Sequence, residues 1–180
     1  MPRTFRLFLA VLVPVLVLDQ LTKSWIRNHL AVHGHIDVIE GVFRLWHRTN
    51  TGGAWSILGD ASWGMPVLIG VSSLAVVLMG WFAWSLGERD RLAALALGLM
   101  AGGGLGNLHD RARFQQVTDF LDVYQRDGVV GRLFEVIAGG PHFPTFNVAD
   151  MGIVTGGILL ALVSVRLAPA TPERTEPQGR

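Results

Sequence analysis

The sequence predicts an all-α integral membrane protein with four transmembrane helices, and two observations carry that prediction. Only 16% of the residues are charged, against about a quarter in a soluble domain. Four stretches are apolar and free, or nearly free, of charge. Ala61 to Gly87 has no charge over 27 residues and Leu92 to Leu108 has none over 17, so both meet the ~17–25 residues that a helix needs to cross a bilayer. Leu7 to Leu18 and Met151 to Val165, 12 and 15 residues, reach that length with their polar ends included. The expected spans are about 5–23, 64–86, 91–109 and 147–167. They form one membrane-embedded domain over 1–168, with loops at about 24–63 and 110–146 on one side and a polar tail at 169–180.

The first span opens with Arg3 and Arg6 before its apolar run, as a secretory signal peptide would. No small-residue cleavage site follows, because the next residues are "DQLTKSW". A retained first helix is expected. Asp19 and Lys23, four apart on it, lie on one face and can pair. The loop that follows contains "HIDVIEGVFRLWHRTNTGGAWS". Its β-branched and aromatic residues, broken by glycines, predict short strands in a small sheet resting on the membrane. Trp46, Trp55 and Trp63 fit an interfacial aromatic belt. The second and third spans are joined by the tight turn "GERDR".

The third span ends "AGGGLGNLHDRARF". Gly98, Gly102 and Gly106 recur every four residues and form a small-residue face that lets another helix approach closely. Asn107 and Arg111 are one turn apart, with Asp110 between them. His109 has no second ligand at metal spacing, so no metal is expected. The second loop carries Asp119 and Asp122 in "VTDFLDVY". The fourth span opens "NVAD", with Asn147 and Asp150 three apart. The tail "PATPERTEPQGR" is polar and Pro-rich, and disorder is expected there.

A net charge of +1 implies no nucleic-acid partner, and the absence of cysteine excludes disulfides and thiolate chemistry. Basic residues divide almost evenly, seven on the side of the termini and eight in the two long loops. The seven are concentrated in short segments, which weakly favours cytoplasmic termini.

Carboxylates at membrane helix ends point to function by default, and here several gather on one side. Two carboxyls in a water-poor site cannot both ionise cheaply, so one keeps a proton. The ionised partner can deprotonate a water while the protonated one polarises a carbonyl and later serves the leaving amine. That is aspartic peptide hydrolysis. No rival nucleophile is evident, since Ser56 in "NTGGAWS" lacks a nucleophile elbow.

Five blocks in order, "DQLTK", "NTGGAW", "GGGLGNLHDR", "VTDF" and "FPTFNVAD", resemble those of the bacterial lipoprotein signal peptidases, the type II signal peptidases. The resemblance runs from Asp19 to about Ile153. It implies a small extracytoplasmic β-cradle in the first loop, termini in the cytoplasm and an active site near the outer face of the bacterial inner membrane. It places the catalytic aspartates at Asp119 and Asp150. Asp19, Lys23, Asn50, Gly104, Asn107, Arg111, Asn147 and Ala149 fall on positions the family uses around its site, Asp110 on a structural position and Asp122 on none. The implied reaction removes the signal peptide from a diacylglyceryl-modified prolipoprotein, cutting before the lipidated cysteine, with no cofactor. A monomer surrounded by membrane lipids is expected.

Three features depart from the family pattern. Met151 replaces a common Ser, His109 stands where an apolar residue is common, and the segment between the two aspartates is long. In that insert, Val129, Val130, Leu133, Phe134 and Ile137 share one face of a helix. This predicts an interfacial lid helix, against the alternative of a loop packed on the sheet. Two other readings of the whole chain are a small transporter or proton relay using the same carboxylates, and a non-catalytic lipoprotein-binding relative. The relay would spread its carboxylates through the membrane depth, whereas these gather at one end.

Overall fold

The computed structural model describes residues 1–52, 63–125 and 128–167, without the side chains of 137, 138, 166 and 167. Trp55, Ser56, Arg126, Asp127 and the 169–180 tail lie outside the described residues. The elements follow the order α1 (Arg3–His29), β1 (His35–Ile39), β2 (Phe43–Asn50), α2 (Gly64–Ser85), α3 (Arg91–Phe114), β3 (Val117–Val123), α4 (Gly128–Ala138) and α5 (Val148–Leu167). The helices α1, α2, α3 and α5 are long and apolar enough to cross a membrane.

The most enclosed helix is α3, which packs against the other three long helices. Its glycine face allows this. A Cβ on Gly102 would stand 2.7 Å from the Leu12 carbonyl oxygen, and one on Gly106 would collide with the Asp19 carboxylate. Gly106 therefore makes room for a charged group as well as for a backbone. The Asp90 side chain caps the start of α3, accepting from the Ala93 N–H at 2.9 Å. Gln115 ends the helix in the left-handed region at φ 57°. Both α1 and α3 continue beyond the charge-free stretches, into residues read above as loop.

The sheet is antiparallel in the order β1-β2-β3. The first loop supplies β1 and β2, as expected. The sequence reading did not anticipate β3, which comes from the second loop. Pairing of β2 with β3 is interrupted between Leu45 and Arg48, so that Trp46 and His47 oppose Phe120 alone. Such a bulge sharpens the local twist and re-aims neighbouring side chains, and it lies directly beside Asp119. The other edge of β3 is covered by the chain returning to α5, with Leu121 N–H donating to the Phe146 carbonyl at 2.8 Å and Phe146 N–H back to Leu121 at 3.1 Å. The strand bearing Asp119 is thus held from both sides.

The predicted helix in the insert forms as α4, but its faces are divided differently from the expectation. Phe134 turns inward at 8% exposure and meets the Phe143 ring at 6.0 Å, whereas Val129, Val130, Leu133 and Val136 are exposed. Phe134 anchors the helix. Val129, Val130, Leu133 and Val136 form a separate outward stripe.

Candidate active site

Asp119 on β3 and Asp150 in the first turn of α5 are joined through Asn147. The Asn147 amide nitrogen donates to Asp119 Oδ1 at 2.7 Å. Its backbone N–H donates to Asp150 Oδ2 at 3.1 Å, and its carbonyl Oδ1 accepts from the Asp150 N–H at 2.9 Å. The last two bonds form a reciprocal capping box, in which the N-cap side chain and the third helical residue satisfy each other's backbone donors. The same local motif that starts α5 therefore fixes the Asp150 carboxylate.

Each aspartate has a further amide. Asn50, at the end of β2, donates to Asp119 Oδ2 at 3.2 Å, and Asn107 of α3 donates to Asp150 Oδ1 at 2.8 Å. Neutral amides hold both carboxyls in place without neutralising them. Burial pushes the Asp119 carboxyl up to about 6, and the nearby Asp150 charge adds to this, against the opposing pull of the Asn50 and Asn147 hydrogen bonds. The pair is therefore built to retain a proton well above the ordinary carboxylate range, up to about pH 6.

Beneath the aspartates lies a buried charged layer. Lys23 Nζ meets Asn107 Oδ1 at 2.8 Å, Asp19 Oδ2 at 2.9 Å and Asp110 Oδ2 at 3.3 Å, using all three of its donors. Asp19 Oδ1 accepts the Ala149 N–H at 2.9 Å, which satisfies another orphan donor at the start of α5. Asp110 Oδ2 accepts the Thr118 N–H at 3.1 Å and so fixes the residue before Asp119. Asp110 thus has the structural place expected of it.

Three predicted residues relate to the pair less directly. Ala149 contributes a backbone donor and close packing. A Cβ on Gly104 would meet Val76 at 3.2 Å, which puts this glycine against α2, whereas Gly103 is the one pressed on the Ala149 carbonyl. Arg111 is half-buried, within electrostatic reach of Asp150, Asp119 and Asp110. No hydrogen bond or ion pair joins it to them among the described residues. Asp122 is fully buried, bonded to Arg44 at 2.6 Å and His142 at 3.0 Å, an ion-pair cluster that pins β3. Sequence reasoning missed Gln20. Its amide reaches Asp19, Asp110 and the Gly106 carbonyl, and its only signal was its place beside Asp19. Among the described residues no group of three carboxylate or imidazole side chains could hold a metal ion.

Arg111 and Asn147 should differ in what their loss costs. Asn147 is fully buried at the centre of the network, so Asn147→Ala should cost roughly 2 kcal/mol or more through the lost cap and stranded partners. Arg111→Ala breaks no hydrogen bond or ion pair among the described residues and should cost less, about 1 kcal/mol. Thermal melts of both variants in detergent check this, and equal losses would refute it.

The family model described as "Signal peptidase (SPase) II" matches residues 11–166. The lipoprotein signal peptidase of Geobacter sulfurreducens is 40% identical over 166 residues, covering 92% of this chain and 96% of that protein. That of Solibacter usitatus is 36% identical over 154 residues, covering 84% and 86%, and that of Xylella fastidiosa is 32% identical over 170 residues, covering 92% and 94%. A solved structure described as a bacterial membrane enzyme, determined by the in meso method at 2.3 Å, superposes with a TM-score of 0.73 over 96% of this chain and 94% of that one, at 24% identity.

Proposed function

Because the chain belongs to the signal peptidase II family, we propose that Asp119 and Asp150 are the hydrolytic pair of its lipoprotein signal peptidase activity. The chain is a membrane-embedded protease of prolipoproteins, and neither the transporter nor the non-catalytic reading is favoured. The observation that carries the catalytic assignment is the double attachment of Asn147, which holds one carboxyl through its side chain and the other through its backbone.

The ionised carboxylate takes a proton from water as the water attacks the scissile carbonyl carbon. The protonated partner donates to the carbonyl oxygen. Collapse of the tetrahedral intermediate breaks the C–N bond, and the amine leaves with a proton from the pair. The substrate is a diacylglyceryl-modified prolipoprotein, cut before the lipidated cysteine. The protein acts as a monomer, with its termini in the cytoplasm and its site near the outer face of the inner membrane, in keeping with the denser positive charge beside the termini. Asp19, Lys23, Asn107, Asn147 and Ala149 hold the pair in place, Asn50 orients Asp119, and Arg111 supplies positive charge to the substrate-facing side. Gly104 supports the site through the seating of α3 on α2. Incubating the purified protein with a lipidated prolipoprotein tests this reading. A product shortened to the lipidated cysteine is expected, and an intact substrate would overturn it.

The exposed stripe of α4 belongs to the same reading. Residues of this kind at helical spacing, beside charged neighbours, suit a helix lying at the headgroups. From there it closes over bound substrate and excludes water. Leu133→Asp with Val129→Asp leaves the Phe134 anchor in place, and it should lower cleavage of membrane-embedded substrate about tenfold through lost apolar burial. An unchanged rate would leave α4 as packing only.

A further inference from the structure

Away from the aspartates, the last turns of α1 and α3 enclose a polar cleft of about 440 Å³. Its walls carry Arg27, Arg113 and His109, with the neutral hydrogen-bonding groups of Gln20, Ser24 and Asn28 between them. The catalytic reading uses neither Arg113 nor His109.

The charges in and behind the cleft leave one cation over. Asp19 and Asp110 are fully buried and are matched by Lys23 and Arg27, with Arg27 Nη1 at 3.4 Å from Asp110. Arg113 is exposed, with its guanidinium 5.4 Å from the Phe114 ring centre, and it has no hydrogen bond or ion pair among the described residues. Arg27 lies over the same ring at 4.5 Å, so Phe114 holds both guanidinium groups beside the cleft. Asn28 donates to Ser24 at 3.4 Å, and the Ser24 hydroxyl hydrogen meets no acceptor among the described residues.

Two further features concern depth. The helices span ~40 and ~36 Å at 1.5 Å per residue, against about 30 Å of hydrocarbon, so each is long enough to carry its last turn to the headgroups. Below the cleft, on the same side of α1, Val13, Val17 and Leu21 are exposed and apolar. A positive, donor-rich cleft above an apolar strip fits a molecule with an anionic head and a hydrocarbon tail.

We propose that this cleft binds the phosphodiester headgroup of an anionic membrane lipid, with Arg113 as the principal cation and an acyl chain lying along Val13, Val17 and Leu21. Arginine suits this role because its planar fork matches phosphate oxygens in pairs. Arg27 also donates to Thr118 Oγ1 at 3.1 Å, so a lipid on Arg27 would be linked through it to the residue before Asp119 and would brace that strand.

The test is a titration of the delipidated full chain in detergent with phosphatidylglycerol, phosphatidylcholine of the same chains, and inorganic phosphate. Phosphatidylglycerol should bind more tightly than phosphatidylcholine, and inorganic phosphate should not displace it. Arg113→Gln should weaken phosphatidylglycerol binding about tenfold, the scale of one charge-assisted hydrogen bond, and Arg113→Glu should weaken it further. Both substitutions replace an exposed side chain, and circular dichroism checks that each variant is folded. Equal affinity across the wild type and both variants would overturn the site. Displacement of the lipid by inorganic phosphate would overturn the lipid as its occupant. The titration reads binding without cleavage, so its failure leaves the catalytic reading untouched.

Discussion

Replacing either Asp119 or Asp150 with Asn should reduce cleavage by at least about 10³-fold, within the range contributed by a positioned acid or base. The substitution is nearly isosteric, so insertion and helix packing should persist. At Asp119 the new amide can still accept from Asn147 or Asn50, but its own NH2 must then face the other donor. At Asp150 the capping box keeps an oxygen acceptor for the Asn147 N–H. What each variant loses is half of the proton chemistry. Membrane-fraction immunoblots beside cleavage of a lipidated prolipoprotein would separate loss of chemistry from loss of protein. Near-normal cleavage by either variant would disprove the assignment. Asp122→Asn should act differently, because Asp122 is bonded to Arg44 and His142 and lies outside the Asn147 network. Its cost should appear mainly as stability.

Lys23→Met should be the most destabilising single change in the helical core. Lys23 is fully buried between Asp19 and Asp110, which have equally little access to solvent. Removing one member of a buried ionic cluster costs about 3–5 kcal/mol, because its partners are left charged and uncompensated. Two further losses follow. Asn107 loses a donor on the oxygen opposite the amide that holds Asp150, and Asp19 loses the charge that matches it while it accepts from Ala149. Arg27→Leu should cost less, since Arg27 is partly exposed and stands 3.4 Å from Asp110. If Lys23 is indeed a charge match, adding Asp19→Asn to Lys23→Met should recover part of the lost stability in a detergent melt. A further loss in the double variant would refute that role.

The four spanning helices were legible because absence of charge over a bilayer's length has few other meanings. Where charge returns, the sequence places the ends of the spans, but the helices themselves run on past them. At the end of α3, Asp110 carries the helix onward because Lys23 and Arg27 neutralise it from α1, a match made across more than 80 positions. The same partnership lets α1 run on to His29. Strand β3 was hidden for a related reason. Both its faces are covered, so "VTDFLDV" lacks the clean alternation of a half-buried strand. Its two carboxylates are buried only because Arg44, His142 and the two asparagines reach them from distant segments. The aspartates themselves stood out by their motifs. Gln20, by contrast, had only its place beside Asp19 as a signal, and an amide beside a carboxylate is unremarkable until a third helix is brought to it. In α4 the helical period was correct, yet periodicity alone could not tell that Phe134 would turn inward and Val129, Val130 and Leu133 outward.

The pH dependence of kcat/KM for a lipidated prolipoprotein tests the shared-proton pair most directly, because this parameter reports ionisations in the free enzyme. Asp119 holds its proton up to about 6, mainly through burial and further through the Asp150 charge. In the free enzyme the limb belongs to the pair rather than to one residue. The account predicts an alkaline limb in which the rate falls as pH rises through about 6, well above the ordinary carboxylate range. A rate independent of pH from the ordinary carboxylate range to well above neutrality would contradict it.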